Sequence, residues 1–561
     1  MPLKNAQEYL ARTLAYGGFV TTIFVAAWWT TEPVNAPKMM TLSTTAGACI
    51  GIFIAMRTVQ FKENKLLISS IMAFLIFASI SLFTSEGPAE LNFYGVGGRN
   101  TGLLTYLALS IVLLSGAQLN SSALFLKVLK AFALAGIVNV AYCLFSIAGI
   151  ELLPWNNIFD TILGTFGNPN FIGAFLGIFG VVLISYILGH LNSLKIILWG
   201  APLLGVTFFE IIKSHAIQGL VILALGSSIV FWMKIRSLSR NKLIEFGYLV
   251  IIFVSGIFAL LGALQIGPLT KYIYKSSVSL RGEYWQAGWN MGLQHPITGV
   301  GMDSYGDWFR RARDVQALVV PGVNVTTNAA HNVFLDIFAY GGFPLLIAYL
   351  AIVGIVARSA TKLLFKSRDY DFVAVALVSG WICYQAQAVI SINQIGVAIW
   401  GWVFGGLIIA YEKLSTTNLE HETIFTKNKS GRNIKKKNSS EAGLALGSFV
   451  GLVAGALIAM PPMIADGKWR NAMGSGDAEI IESAAMAWPQ DPVRLNQAVK
   501  MFSDNNFPDL ALSLSNISIT KFSESYISWY SYIQLPGLSE SEIKRARAEL
   551  HRLDPNNPEF K

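Results

Sequence analysis

The chain has 561 residues, 53% of them hydrophobic and only 13% charged, with a mean hydropathy of +0.51. Soluble domains carry about 25% charged residues, so a soluble multidomain enzyme and a disordered scaffold are both excluded. What remains is a polytopic membrane protein with a formal net charge of +9.

A helix needs about 20 mainly apolar residues to cross the hydrocarbon core, and only helices satisfy their own backbone there. Windows of that length place about thirteen spans, near residues 10–29, 39–57, 66–84, 101–118, 124–149, 171–188, 194–212, 216–233, 244–264, 332–357, 372–391, 395–411 and 443–463. The expected fold is an all-α transmembrane bundle over 1–465, with a large exterior loop at 265–330. A small helical soluble domain follows at 466–561. The first span lacks a small-residue cleavage site before Glu32 and Pro33, so it reads as a retained anchor. Cys49, Cys143 and Cys383 fall inside spans, where a thiol is a small hydrophobe.

Lys and Arg in the short loops set orientation. With a cytoplasmic N-terminus, 23 of them fall inside and nine outside ahead of the tail. The long loop and the tail are then exterior. The basic run 427–437 serves that orientation, and no nucleic-acid partner is called for. In the tail, Leu553-Asp-Pro-Asn-Asn-Pro558 resembles the junction of a tetratricopeptide repeat. A plain helical domain and one binding a protein or glycan partner fit it equally.

Ionisable residues in mid-membrane mark transport paths, and this chain has almost none; Glu210 and Glu245 lie near span ends. The polar residues gather instead on the exterior side, which argues for chemistry or binding there. Gly95-Val-Gly-Gly-Arg99-Asn-Thr-Gly stands at one span entrance, and Gly164-Thr-Phe-Gly-Asn168-Pro-Asn170 at another. Asn-Pro-Asn reads equally as a helix cap. Glu210-Ile-Ile-Lys213-Ser214-His215 closes a third span. The long loop carries Ser279-Leu-Arg281-Gly-Glu283-Tyr-Trp285 and His295-Pro-Ile-Thr-Gly-Val-Gly301, and ends at His331-Asn332-Val-Phe-Leu335. A histidine sharing a face with Arg99, Lys213, Arg281 and Arg310 to Arg313 suggests a base beside an anion site.

Leaving aside Glu210 to His215, the other five motifs, in this order over residues 66–411, resemble the O-antigen ligase and polysaccharide polymerase superfamily, which includes protein O-oligosaccharyltransferases. The tetratricopeptide-like tail is similar to additions found on some members. The resemblance implies a GT-C type glycosyltransferase of the bacterial cytoplasmic (inner) membrane, independent of metal and of other cofactors. It would move a glycan from an undecaprenyl-diphosphate carrier to the hydroxyl of a lipid, glycan or protein acceptor. By motif, Arg281 would bind the diphosphate and His331 would act on the acceptor hydroxyl, with Arg99 on the phosphates or the loop. One position departs: the family's Ser-Arg pair is Ser214-His215 here. Charge at that point would come from Lys213 or from a protonated His215, and neither gives the arginine fork.

The residues allow the same chemistry. A lipid diphosphate is a good leaving group that fixed cations stabilise, and a histidine base assists the attacking hydroxyl. Glu283 is a competing base, read here as the salt-bridge partner of Arg281, and Asn332 as a supporting residue. Trp285 and Trp289 suit the membrane interface, and His295 reads as structural. A lipid-linked glycan flippase and an inactive glycan-binding scaffold are the rival classes. Ligation, polymerisation and protein glycosylation share donor chemistry, so sequence leaves the acceptor open.

Overall fold

The computed structural model describes residues 2–56, 63–154, 157–263, 266–268, 270–273, 276–424 and 441–560. Among them every regular element is a helix. In chain order the bundle contains α1 (Pro2–Ile23), α2 (Asn35–Met56), α3 (Lys65–Thr84), the short α4 (Ala89–Tyr94), α5 (Leu103–Gly116) and α6 (Ser122–Ile147). It continues with α7 (Pro169–Gly189), α8 (Leu194–Lys213), α9 (Ile217–Leu238) and α10 (Lys242–Ala263). The long loop holds α11 (Thr270–Ile273), α12 (Ser276–Gln294) and α13 (Tyr305–Ala312). Then come α14 (Val333–Lys366), α15 (Phe372–Ile390), α16 (Ile395–Ile424) and α17 (Glu441–Ala459), and the tail of α18 (Pro461–Met473), α19 (Ala478–Ala485), α20 (Pro492–Asp504), α21 (Pro508–Lys521), α22 (Tyr526–Ile533) and α23 (Glu540–Leu553).

Each of the thirteen hydrophobic windows falls on a helix. Eleven of these, among the described residues, are long and apolar enough to cross a membrane, and α5 is a shorter apolar helix. The thirteenth, α1, carries Glu8 and Arg12 in its first half and stops at Ile23. Its end is capped by the buried Lys38, whose ammonium donates to the carbonyls of Thr21 (3.1 Å), Thr22 and Phe24 (3.3 Å). The basic run 427–437 lies outside the described residues.

Lipid gives helices no hydrophobic reason to associate, so close backbone approach has to hold them together. The α2–α17 pair meets that need with glycines. A Cβ on Gly51 would lie 1.8 Å from the Gly447 carbonyl oxygen, and one on Gly451 would lie 2.0 Å from that of Gly47. The tail continues from α17 almost without a break and forms its own apolar cluster around Leu495, Phe502, Leu514, Trp529 and Leu550, joined by Leu91 of α4.

α14 is not one helix. Gly341 and Gly342 (φ +65°) break it, and Pro344 follows. The carbonyls freed on the N-terminal side are taken by the loop: Val300 donates to Ala339 at 2.9 Å and Gly301 to Tyr340 at 3.1 Å, while Phe343 donates to Pro296 at 2.8 Å. The Pro296-to-Gly301 motif is therefore a backbone patch over a broken helix. Glycine is obligatory at 299 (φ +65°), where a Cβ would sit 2.2 Å from the Tyr340 carbonyl carbon. The break leaves residues 333–340 as a short helix at the loop face of the bundle.

Candidate active site

His331 stands immediately before that short helix. Asn332 is its N-cap: the side-chain oxygen accepts from the amides of Phe334 (3.0 Å) and Leu335 (3.3 Å). His331 itself has φ +56°, a left-handed conformation uncommon outside glycine and found at functional sites. Its ring lies 5.7 Å from that of Tyr284 on α12. Burial, then the nearby Arg281 and Arg99 charges, pull its pKa down to about 4. The imidazole is thus neutral near pH 7, the form that can accept a proton.

Arg281 lies on α12 three residues before Tyr284. Burial lowers its pKa, and among the described residues no hydrogen bond or ion pair engages its guanidinium. The expected ion pair with Glu283 is not formed. Residues two apart on a helix point away from each other, and both lie within α12. Trp285, one turn beyond Arg281, keeps a buried indole N–H without a partner among the described residues.

Arg99 is committed to the protein. Its side chain is 4% exposed. Nη1 donates to the Asn328 carbonyl at 3.0 Å and to the Asn328 amide oxygen at 3.3 Å. Nε lies 3.5 Å from Asp303 and Nη2 4.0 Å from Asp336. Burial opposes the charge, yet Tyr340, Asp303 and Asp336 together raise the Arg99 pKa. Of the two expected contacts, phosphates or loop, the loop contact is present. Asp303, fully buried, also accepts from the amides of Val96 (2.9 Å) and Thr101 (3.2 Å), and from the hydroxyls of Thr101 (2.8 Å) and Tyr340 (3.1 Å). Asp336 accepts from the Ala330 amide at 2.7 Å.

Asp303, Asp336 and Asn328 are absent from the sequence reading. Arg99 carried the signal for them, since a buried guanidinium demands carboxylates.

Lys213 and His215 stand at the turn from α8 into α9. Both are exposed. The Lys213 ammonium lies over the Phe209 ring at 5.6 Å, and His215 has φ +55°. The loop arginines are spent elsewhere. Arg310 and Arg313 both bind the buried Asp554 of the tail, at 3.0 and 2.7 Å, and Arg311 binds Glu524 at 2.7 Å. They belong to a docking interface, so these three are withdrawn from the anion site expected from a shared face. His295 packs against Trp308 at 4.6 Å, in keeping with a structural part.

The fold defines a multi-pass helical membrane protein. Residues 211–350 match the family model described as O-Antigen ligase. No curated protein matches the chain. The matched segment runs from the end of α8 into α14 and contains Lys213, His215, Arg281, Glu283, His331 and Asn332. The chain therefore carries an O-antigen ligase domain, which supports the superfamily resemblance of its motifs and a membrane glycan ligase or polymerase type of function.

Proposed function

We propose that the protein transfers a glycan from an undecaprenyl-diphosphate carrier to an acceptor hydroxyl, with Arg281 on the diphosphate and His331 as the base. The observation that carries this reading is the half-buried Arg281, unengaged among the described residues, on the same helix as Tyr284, whose ring meets that of His331 at 5.7 Å inside the matched domain. The acceptor oxygen attacks the anomeric carbon and its proton passes to His331. The bond from that carbon to the phosphate oxygen breaks, and the electron pair leaves with the diphosphate. Arg281 offsets the charge that grows there, and the free Trp285 N–H is one more donor on the same face of α12.

A pKa of about 4 makes His331 a weak base while Arg281 stands bare. A bound diphosphate neutralises Arg281, lifts that part of the depression, and strengthens the base when the donor is in place. The orientation follows the positive-inside count: N-terminus cytoplasmic, loop and tail exterior, in the bacterial inner membrane. The tetratricopeptide-like helix pairs of the tail would then lie beside the acceptor side. The test is glycan transfer from the lipid carrier by membranes bearing His331→Ala or Arg281→Ala. Loss of about 10²-fold or more is expected, and wild-type rates would sink the assignment.

A further inference from the structure

A cavity of about 310 Å³ lies between the 95–100 loop, the α1–α2 turn and the tail helices α18 and α20. A second of about 640 Å³ adjoins it, sharing Thr31, Glu32 and Gly98. Both fall in the size range of ligand pockets, ~300–1,000 Å³. Neither is lined by Arg281 or His331, so this space is separate from the site already described.

Asn100 lines the first cavity. It is 2% exposed, has φ +56°, and its buried amide oxygen has no hydrogen-bond partner among the described residues. A buried acceptor left unmet is costly, so it signals a missing donor. Around it stand Glu32, Glu90, Asp466 and Asp491. The one guanidinium in the wall, Arg494, is occupied by the carbonyls of Ala485 (3.2 Å) and Pro489 (2.8 Å). Glu32 Oε1 accepts from the amides of Val34 and Asn35, both at 3.3 Å, and Asp491 Oδ1 caps α20. Among the described residues, each of these two carboxylates leaves its second oxygen without a hydrogen bond.

Such a wall repels phosphate and receives hydroxyl or ammonium donors. The neighbouring residue is Arg99, which holds the segment leading to His331. One loop thus faces the cavity with Asn100 and the base with Arg99.

We propose that this cavity is a saccharide subsite, built jointly by bundle and tail, that takes the acceptor glycan through its hydroxyl or amino groups and refuses phosphate. It rests on the glycosyltransfer reading for the identity of its ligand class. The test titrates full-length protein in lipid nanodiscs with a glucosamine tetramer, an N-acetylglucosamine tetramer and pyrophosphate, read by tryptophan fluorescence. Trp469 stands in the cavity wall. Saturable binding of at least one tetramer is expected, weakened about tenfold or more by Asn100→Ala and by the rim variant Val493→Phe, and retained in Arg281→Ala. The proposal is overturned if neither tetramer binds, if both variants bind as wild type does, or if pyrophosphate competes with the sugar. If the tetramers bind but wild-type membranes move no glycan from the lipid carrier, the glycosyltransfer reading fails and the subsite stands.

Discussion

Arg99 and Asp336 grip the two ends of the three-residue segment that delivers His331. Arg99 donates to the Asn328 carbonyl at 3.0 Å, Asp336 accepts from the Ala330 amide at 2.7 Å, and the two side chains approach to 4.0 Å. The left-handed backbone at His331 is held by that grip. Asp336→Asn keeps the shape and weakens the charge pairing, and a small displacement of the base is enough to cost about 10²-fold in rate. Turnover should fall while donor binding, which the proposed mechanism gives to Arg281, is preserved. Separate measurements of kcat and of carrier affinity check this, and an equal loss in both would refute it.

The acid limb of the pH profile is the second test. The His331 pKa is depressed to about 4, so its base form is present at every pH above that value and is lost only as pH falls through it. Removing the Arg281 charge takes away one cause of the depression. In Arg281→Ala the limb should therefore move to higher pH, towards the ordinary value of about 6.5, stopping short because burial, the larger cause, remains. Donor binding should shift the limb in the same direction, placing that of kcat above that of kcat/KM.

Asp554 is the keystone of tail docking. It is fully buried and shared by Arg310 and Arg313, and the neighbouring Asn556 donates to the Arg313 carbonyl at 3.3 Å. Removing one partner of a buried ion pair typically costs about 3–5 kcal/mol. Asp554→Ala should loosen the tail, seen as faster proteolysis within residues 466–561. Undiminished protection would show that the apolar contacts hold the tail without it.

At the α2–α17 contact there is no room for a side chain. The Gly51 position faces backbone rather than a flexible side chain, so Gly51→Leu cannot be absorbed by a rotamer change. A loss of thermal stability of about 1–3 kcal/mol is expected from overpacking, measured against a Gly→Leu change at the open Gly256, which has nothing within 4 Å.

Hydropathy was sufficient to place all thirteen helices, because the cost of exposing backbone and polar groups to lipid acts on each segment by itself. The motif order likewise marked Arg281 and His331, since both lie in one loop whose ends are local to the chain. Charge function was another matter. Arg99, Arg310, Arg311 and Arg313 look alike along the sequence as exterior cations, yet one is clamped between Asp303 and Asp336 and the others are claimed by Asp554 and Glu524. The Pro-Asn-Asn-Pro ending, read as a repeat junction, sits beside the aspartate that docks the tail. Likewise, Pro296 to Gly301 patches the α14 break. In each case the partner lies far away in sequence, and a buried charge or orphaned carbonyl names its need without naming who meets it. Only the packed chain decides which cations remain free for a substrate, and it withdraws Arg99, Arg310, Arg311 and Arg313 from that set.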